Sequence, residues 1–454
     1  MSKELENALS TQPSLHDQTQ GQSALGTKKS TKTITSLVIL FCWLTIFSEG
    51  YDLGIYGAVL PALMKSEWAL TPAAAGAIGS YALIGMLIGS ITVGAITDMI
   101  GRKKVLIFCL SLFSITMGLA AMSTTPELFA IFRFIGGIGI GGVIPSVSAL
   151  TVEYSPPHRR QLNYVIMNTG YATGAIFGSL AAVFFLEQVG WRFMFWLGVA
   201  PLLIIPFLVK YLPESIGFLL VKNRKAEAEV LATRYQLSLE SIEQVTQGNL
   251  QKEKGRWEGV KKLFLAKRNA QATLAFSIIF FLTFLTIYGL NTWLPKLMQQ
   301  AGYPLSSSLV FLLVFNLTAV VGSLVGGAFA DRFTAKKVIG LAFLLAAISI
   351  CLLSFKPASM VTLYCLIGLA GVGSVGTTGL LSGYATSYFG SEIRATAVGT
   401  VVGLGRIGAA LGPVLGGIML SLNIQLQWSF YIFALAAVMG AITLFFIPRT
   451  ERLD

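Results

Sequence analysis

The residues whose types and spacing point most directly to chemistry are Glu49 and Asp52. They stand three residues apart, midway along an apolar stretch that runs from about Thr33 to Met64. An isolated charge at membrane depth is costly, so two carboxylates on one apolar helix indicate a function. Burial and nearby charges shift the protonation equilibrium of a carboxylate. The pair is therefore predicted to load a proton in one conformational state and release it in another.

Buried carboxylates need cations nearby, and two arginines fall within other apolar stretches of the chain. These are Arg133 and Arg406. A guanidinium recognises a carboxylate through paired hydrogen bonds, so Arg406 is the predicted contact for an acidic substrate. For both arginines the alternative is a fixed ion pair that only holds helices together.

The elements that position these residues are expected to be membrane-spanning helices. Hydrophobic residues make up 54% of the 454 residues, charged residues 12%, and the mean hydropathy is +0.72, which excludes an ordinary soluble globule. Apolar runs long enough to cross a bilayer are centred near positions 48, 85, 114, 140, 174, 202, 285, 319, 346, 372, 407 and 438. We predict an all-α polytopic membrane protein with twelve transmembrane helices.

The net charge of +12 reflects topology rather than a nucleic-acid partner. If the N-terminus lies inside, fourteen basic residues fall on the cytoplasmic flanks and four on the outer side. The positive-inside rule then places both termini in the cytoplasm, and we expect the inner membrane of a bacterial-type cell. The inner set is Lys28, Lys29, Lys32, Arg102, Lys103, Lys104, Arg159, Arg160, Arg332, Lys336, Lys337, Arg394, Arg449 and Arg452, and the outer set is Lys65, Arg192, Lys296 and Lys356.

The cysteines and histidines predict no disulfide, no metal site and no cofactor. All four cysteines fall within apolar runs, where a thiol behaves as a small hydrophobe. Neither His16 nor His158 lies in such a run, so a transported proton must use another residue type, and the carboxylates are the candidates. The spans carry no histidine cluster or nucleophile motif, and residues 212–268 are short for a signalling domain. An enzyme or a non-transporting sensor is therefore a remote alternative.

One segment of the chain occurs twice. Residues 94–105 (GAITDMIGRKKV) recur 233 residues later as residues 327–338 (GAFADRFTAKKV). Each copy joins the second and third spans of a group of six, which predicts two six-helix halves related by an axis along the membrane normal. The expected units are a disordered cytoplasmic tail (1–32), an N-terminal half (33–211), a cytoplasmic linker (212–268), a C-terminal half (269–448) and a cytoplasmic C-terminal tail (449–454).

With these loops and the glycine-rich pattern of residues 133–142 (RFIGGIGIGG) in the fourth span, the chain resembles the major facilitator superfamily. The resemblance implies the two-halved fold of that superfamily. It also implies a charge network that closes the cytoplasmic face and breaks as the halves rock. The residues that match this gating network are Asp98, Gly101, Arg102, Glu153, Arg159, Arg160, Asp331, Glu392 and Arg394.

The first span carries a narrower signal. Residues 49–57 (EGYDLGIYG) are similar to the Asp-Gly-Phe/Tyr-Asp signature of the aromatic acid:proton symporter family, and most similar to its benzoate and gentisate branch. Glu49 departs from the usual Asp. The resemblance implies proton-coupled import of an aromatic carboxylate, with Arg133 taking part in proton coupling beside Glu49 or Asp52. We expect Asp52 to take the proton with Glu49 assisting, although the sequence leaves open which of the two carries it.

An aromatic substrate needs a flat apolar slot with a few polar contacts. The candidates share an aromatic or amide side chain within a span, and for each the alternative is helix packing or interfacial anchoring. They are Tyr56, Asn168, Tyr171, Tyr288, Asn291, Trp293, Asn316 and Tyr384.

The expected partners are an aromatic carboxylate, a proton and the lipid bilayer, and we expect a monomer. The second transporter hypothesis is a proton symporter for another organic anion, such as muconate or an aliphatic dicarboxylate. Two intramembrane arginines would also suit a dianion.

Overall fold

The computed structural model describes residues 31–235, 237, 239, 242–243, 263–265, 267–390, 393–422 and 424–448. The secondary structure of this part of the chain is helical throughout. Its α-helices are α1 Thr31–Met64, α2 Pro72–Ile100, α3 Arg102–Ala121, α4 Pro126–Glu153, α5 Arg160–Val189, α6 Trp191–Leu197, α7 Ile205–Tyr211, α8 Ile216–Val221, α9 Lys225–Tyr235, α10 Lys267–Gln300, α11 Leu305–Arg332, α12 Ala335–Leu353, α13 Met360–Ser374, α14 Thr377–Tyr388, α15 Arg394–Ser421 and α16 Leu426–Phe445. Short 3-10 turns occupy Pro157–Arg159 and Ala200–Ile204.

Twelve helical segments among the described residues are long and apolar enough to cross a membrane, which confirms the predicted number. The first five spans are α1 to α5. The sixth joins α6 and α7, the seventh to ninth are α10 to α12, the tenth joins α13 and α14, and the last two are α15 and α16. All twelve predicted centres fall within these spans.

Local sequence explains where several spans begin and end. The second and fourth spans both start at a Thr-Pro pair, where Thr71 or Thr125 caps the helix by accepting a bond from a backbone N–H, and the proline occupies the first turn. Gly101 separates the second span from the third with a φ of 111°, a left-handed conformation that glycine adopts without strain. The loop predicted from the repeat therefore contains a turn that requires glycine.

The two halves use the same pairing of spans. In the first half, span 1 packs along span 5 and span 2 along span 4; in the second half, span 7 packs along span 11 and span 8 along span 10. This shared arrangement confirms the predicted pseudo-symmetric fold. The linker begins with the short helices α8 and α9, which lie beyond the sixth span.

Glycines make the closest of these pairings possible. A Cβ atom on Gly174 in span 5 would overlap the backbone oxygen of Phe47 in span 1. In the second half, a Cβ on Gly408 in span 11 would overlap the backbone oxygen of Phe281 in span 7. Small residues let membrane helices approach until their backbones touch, so each half packs as a rigid unit.

An even number of spans places both ends of the described chain on one side of the bundle, which we name the terminal face. On the opposite side, the far face, the halves are in contact. Gly57 in span 1 lies against the backbone of Asn291 in span 7. The backbone N–H of Ala73 in span 2 donates to Ser421 Oγ in span 11 over 2.9 Å. The halves are therefore closed against each other on the far face.

The terminal face is more open. Apart from the adjacent turns of span 11 itself, no described atom lies within 4 Å of the Cβ position of Gly399 or Gly403, which are in the terminal-face part of that span. The same holds for Gly383 in span 10. A bundle closed on one side and open on the other is one of the two end states that alternating access requires.

Gly174→Ala should destabilise the first half by about 1–3 kcal/mol, because the added methyl group cannot fit against a backbone atom. Gly399→Ala is the matched control, since its Cβ would meet open space and alanine favours a helix. Thermal unfolding of the purified variants should give a lower midpoint for Gly174→Ala and an unchanged or higher one for Gly399→Ala. Equal midpoints would contradict the close packing of spans 1 and 5.

Candidate functional site

The centre of the first half contains a buried ion pair. Arg133 Nη1 in span 4 contacts Asp52 Oδ1 in span 1, and the residues are only 6% and 7% exposed. The Arg133 guanidinium also lies 4.9 Å from the ring centroid of Tyr56 and 5.9 Å from that of Phe195. Aromatic faces attract a cation, so this arginine is held by a carboxylate and two rings of its own half.

Tyr56 fixes this cluster to the second span. Its hydroxyl donates to the backbone oxygen of Ala75 over 2.5 Å, and its ring packs against Gly79. Because Asp52 and Tyr56 are four residues apart on one helix face, the carboxylate and the ring reach Arg133 together. Spans 1, 2 and 4 therefore position the ion pair.

Glu49 occupies a different electrostatic environment, although it lies only one helical turn from Asp52. It is 6% exposed and forms no direct ion pair with any described residue. The nearby positive charge comes from Arg406 in span 11, which acts electrostatically on Glu49 across the boundary between the halves. Arg406 Nη1 is buried, and no acceptor in the described part of the chain bonds to it.

Two tyrosines connect the halves beside this acid. The hydroxyls of Tyr171 in span 5 and Tyr288 in span 7 are 3.1 Å apart, and either can donate to the other. Both phenols lie within electrostatic range of Glu49 and Arg406. Glu49, Arg406 and the two hydroxyls thus form one polar group with members from both halves.

A small central cleft lies beside this group, and Arg406 is not part of its lining. Glu49, Asp52, Arg133, Tyr171 and Tyr288 line its polar side. Its apolar side is formed by Leu53, Ala82, Leu83 and Met86. A mostly apolar wall with a few convergent polar groups is typical of a small-molecule site.

Comparisons with known proteins agree with this arrangement. The sequence pattern of the Major Facilitator Superfamily matches residues 42–316 and 310–454. The chain belongs to the major facilitator superfamily.

Members of the superfamily with similar sequences include three transporters named for aromatic acids. The chain is 39% identical to a benzoate transport protein of Acinetobacter baylyi, over 90% of this chain and 89% of that protein. It is 34% identical to a gentisate transporter of Corynebacterium glutamicum, over 95% of this chain and 94% of that protein. It is 30% identical to a gallate transporter of Pseudomonas putida, over 90% of each. The relatives identify a transporter lineage rather than an enzyme.

Solved structures of the superfamily share the fold at low sequence identity. The partially occluded, inward-open xylose transporter XylE from E. coli superimposes with a TM-score of 0.74 at 18% identity, over 93% of this chain and 99% of that one. The match supports the two-halved helical architecture.

Several of the predicted pocket residues lie away from the central cleft. Trp293 is fully buried and donates from its indole N–H to Pro413 O over 2.8 Å, so it joins spans 7 and 11. Asn291 and Asn316 are buried and donate to carbonyls of their own helices. Exposed Asn168 donates to Tyr164 O, and Tyr384 packs against Phe276 and Tyr388. The structure thus gives these five residues packing or helix contacts.

Sequence reasoning missed some of the cleft lining. Thr292 lines the cleft and follows Tyr288 by four residues, so its place on the same helix face was a usable signal. Leu83 and Met86 also line it, but apolar residues in an apolar span carry no mark of a binding site.

The ion pair found in the predicted gating network lies within the first half. Arg102 pairs with Glu153 and also donates to Ser215 Oγ over 3.0 Å. Glu214 accepts from the backbone N–H of Lys103 over 3.0 Å. These bonds connect spans 3 and 4 to the start of the linker, so they do not cross between the halves.

The other gating candidates give less information. Gly101 forms the turn before Arg102, and a Cβ there would approach Glu214 to 2.6 Å. Arg159 is exposed, Arg160 Nε has no described partner, and Arg394 Nε donates to Phe389 O over 3.3 Å. The side chains of Asp98 and Asp331, and the whole of Glu392, lie outside the described residues.

Asp52→Asn and Arg133→Gln should each destabilise the protein by about 3–5 kcal/mol, because each leaves one buried charge without its partner. The double variant should lose much less than the sum of the two single losses, since it removes both charges. Thermal unfolding of the three variants in detergent measures this coupling. Additive losses would show that the pair contributes no mutual stabilisation.

Proposed function

We propose that this protein is a proton-coupled importer of an aromatic monocarboxylate of the benzoate or hydroxybenzoate type, working by alternating access. The observation that carries the proposal is the unsatisfied Nη1 of Arg406 beside a central cleft in which aromatic and aliphatic side chains meet two carboxylates. The guanidinium suits the acid group of the substrate, and the apolar wall suits its ring. The names of the three relatives support the same class of substrate.

Charge asymmetry supports a cytoplasmic terminal face. Arg102, Lys103 and Lys104 at the start of span 3 lie on that face, as do both ends of the described chain. By the positive-inside rule, both termini then lie in the cytoplasm. The proposal also includes a monomer in the inner membrane, composed of halves 33–211 and 269–448 joined by a linker. On this orientation the open terminal face makes the structure inward-open.

The coupling of substrate to protons follows from charge balance. One anion that moves with one proton transfers no net charge, so the pH difference and the substrate gradient drive uptake. Glu49 and Asp52 are the candidates for the proton, and Arg133 is the cation that balances Asp52.

The second candidate function is symport of muconate or an aliphatic dicarboxylate. A dianion is best held by two available cations. Both arginines have a buried N–H without an acceptor among the described residues, but the charge of Arg133 is already neutralised by Asp52, which leaves Arg406 as the arginine without a direct ion pair. This difference favours a monocarboxylate.

Proteoliposomes that contain the purified protein should accumulate at least one aromatic acid when the outside is made acidic. The panel is benzoate, 4-hydroxybenzoate, gentisate and gallate, with muconate as the dicarboxylate. A protonophore, which collapses the pH difference, should abolish accumulation. Accumulation of muconate alone would select the second candidate, and accumulation of none would overturn the proposed substrate class.

Arg406→Gln should weaken binding of the transported acid by about ten- to a hundredfold, because a charged hydrogen bond contributes about 1.5–3 kcal/mol. Arg406→Lys should weaken it less, since the charge remains while the paired geometry is lost. Arg224→Gln is the control, because Arg224 is exposed and pairs with Glu227 in the linker region. Binding of radiolabelled substrate measures all three, and an unchanged Kd in Arg406→Gln would remove Arg406 from the site.

A further inference from the structure

We propose that Glu49 is the group that carries the proton, and that ionised Glu49 competes with the carboxylate of the substrate for Arg406, while Asp52 stays ionised in its pair with Arg133. This inference rests on the proposed function and divides the roles of the two acids. It reverses the expectation from the sequence, in which Asp52 takes the proton and Glu49 assists.

The first step is the different placement of the two carboxylates. Asp52 and its partner Arg133 belong to the same half, and the Tyr56 ring packs against this arginine. The pair can therefore move with its half as one body. Protonation of Asp52 would leave the Arg133 cation buried without a counter-charge, which is strongly unfavourable.

Glu49 faces the other half instead. The titratable and charged groups around it are Asp52 on its own helix, Tyr171 from span 5, Tyr288 from span 7 and Arg406 from span 11, with Arg133 of span 4 across the cleft. Without a direct ion pair, its negative charge is balanced only by the more distant Arg406. A proton on Glu49 thus breaks no salt bridge in this conformation.

The second step is the unoccupied donor of Arg406. Its Nη1 is buried without an acceptor among the described residues, so one donor of the guanidinium is unpaired in this conformation and can accept a carboxylate as a partner. While Glu49 is ionised, an incoming anion meets a like charge beside that donor. Once Glu49 is protonated, the repulsion disappears and Arg406 becomes an uncompensated cation. The proton and the anion therefore favour each other's binding, and the linkage is reciprocal.

The third step is the net charge of the cleft. When it is empty, Glu49 and Asp52 balance Arg133 and Arg406. When it holds one proton and one monocarboxylate, the charges again sum to zero. Binding of either alone leaves a net charge, which is costly to enclose away from water as the halves close. Only the empty and the doubly loaded forms reorient easily, and this rule produces one-to-one symport.

The proton moves by simple transfer between water and a Glu49 carboxylate oxygen. It is taken up while the cleft is open to the acidic side and leaves as the substrate carboxylate departs on the opposite side. On release, Glu49 regains its charge and again balances Arg406. The cycle needs no redox partner or further ion.

Glu49→Gln in proteoliposomes tests this inference, with the transported acid from the panel above as radiolabelled probe. The empty cleft of the variant carries one positive charge and the anion-loaded cleft carries none. We therefore expect substrate exchange between the two sides to persist while uphill accumulation falls to background. Glu67→Gln is the control, because Glu67 is an exposed carboxylate in the loop between spans 1 and 2 that pairs with Arg192. It should transport as the wild type does.

Substrate binding against pH supplies the second measurement. In the wild type the apparent Kd should rise with pH by up to about tenfold per unit, the limit for one linked proton. In Glu49→Gln the Kd should be low and flat from about pH 6 to 8.5. Glu49→Asp should restore both the slope and accumulation. Asp52→Asn should keep the pH slope of the Kd, because Glu49 is still present to take the proton.

Accumulation by Glu49→Gln, or an unchanged pH slope of its Kd, would overturn the proposal. So would a folded Glu49→Gln variant that binds nothing, since Glu49 would then be a binding residue only. If Asp52→Asn exchanges substrate and its Kd does not change with pH, then Asp52 rather than Glu49 carries the proton. A wild type that binds no acid of the panel would overturn the proposed function as well. If the wild type transports an acid and only the variants depart from the results expected here, this inference alone is overturned.

Discussion

The structure depends on one constraint, which is that charge enclosed between apolar helices must be balanced. Asp52 and Arg133 satisfy it by direct contact within the first half. Glu49 and Arg406 satisfy it only at longer range and from opposite halves. The first arrangement is stable whatever the halves do, because both partners move together. The second depends on the relative position of the halves and on what lies between them, so it is the pair that responds to a ligand.

Rigid halves are the condition under which such a balance can control movement. Backbone-to-backbone packing at Gly174 and at Gly408 couples span 1 to span 5 and span 7 to span 11. If these helices slid independently, Glu49 and Arg406 could adjust locally without reorienting the bundle. Because the helices of each half fit closely, a change of charge in the cleft acts on the whole contact between the halves. That contact is closed on the far face and open on the terminal face.

The sequence sufficed for the twelve spans, the two halves and the central charges, since each rests on a strong signal. Apolar length defines a span, and a charge within it is conspicuous. It did not suffice for the pocket wall. Trp293 is an aromatic residue within a span, as a substrate contact would be, yet its indole N–H donates to Pro413 O on the neighbouring helix. Which face of an apolar helix meets the cleft depends on helix rotation, and hydropathy carries no signal for it when both faces are apolar. The bond between Tyr171 and Tyr288 likewise depends on a meeting of the halves that no local pattern encodes.

Duplication explains how a nearly symmetric bundle came to hold an asymmetric site. Gly170-Tyr171 in span 5 and Gly405-Arg406 in span 11 stand 235 residues apart, and both glycines face the partner span of their own half at close range. The two side chains that follow therefore approach the centre from equivalent directions, one as a neutral phenol and the other as a permanent cation. With two cations at these positions, Glu49 could not balance both, and with two phenols an anion would find no counter-charge. The difference between Tyr171 and Arg406 thus gives the cleft a polarity that two identical halves could not provide.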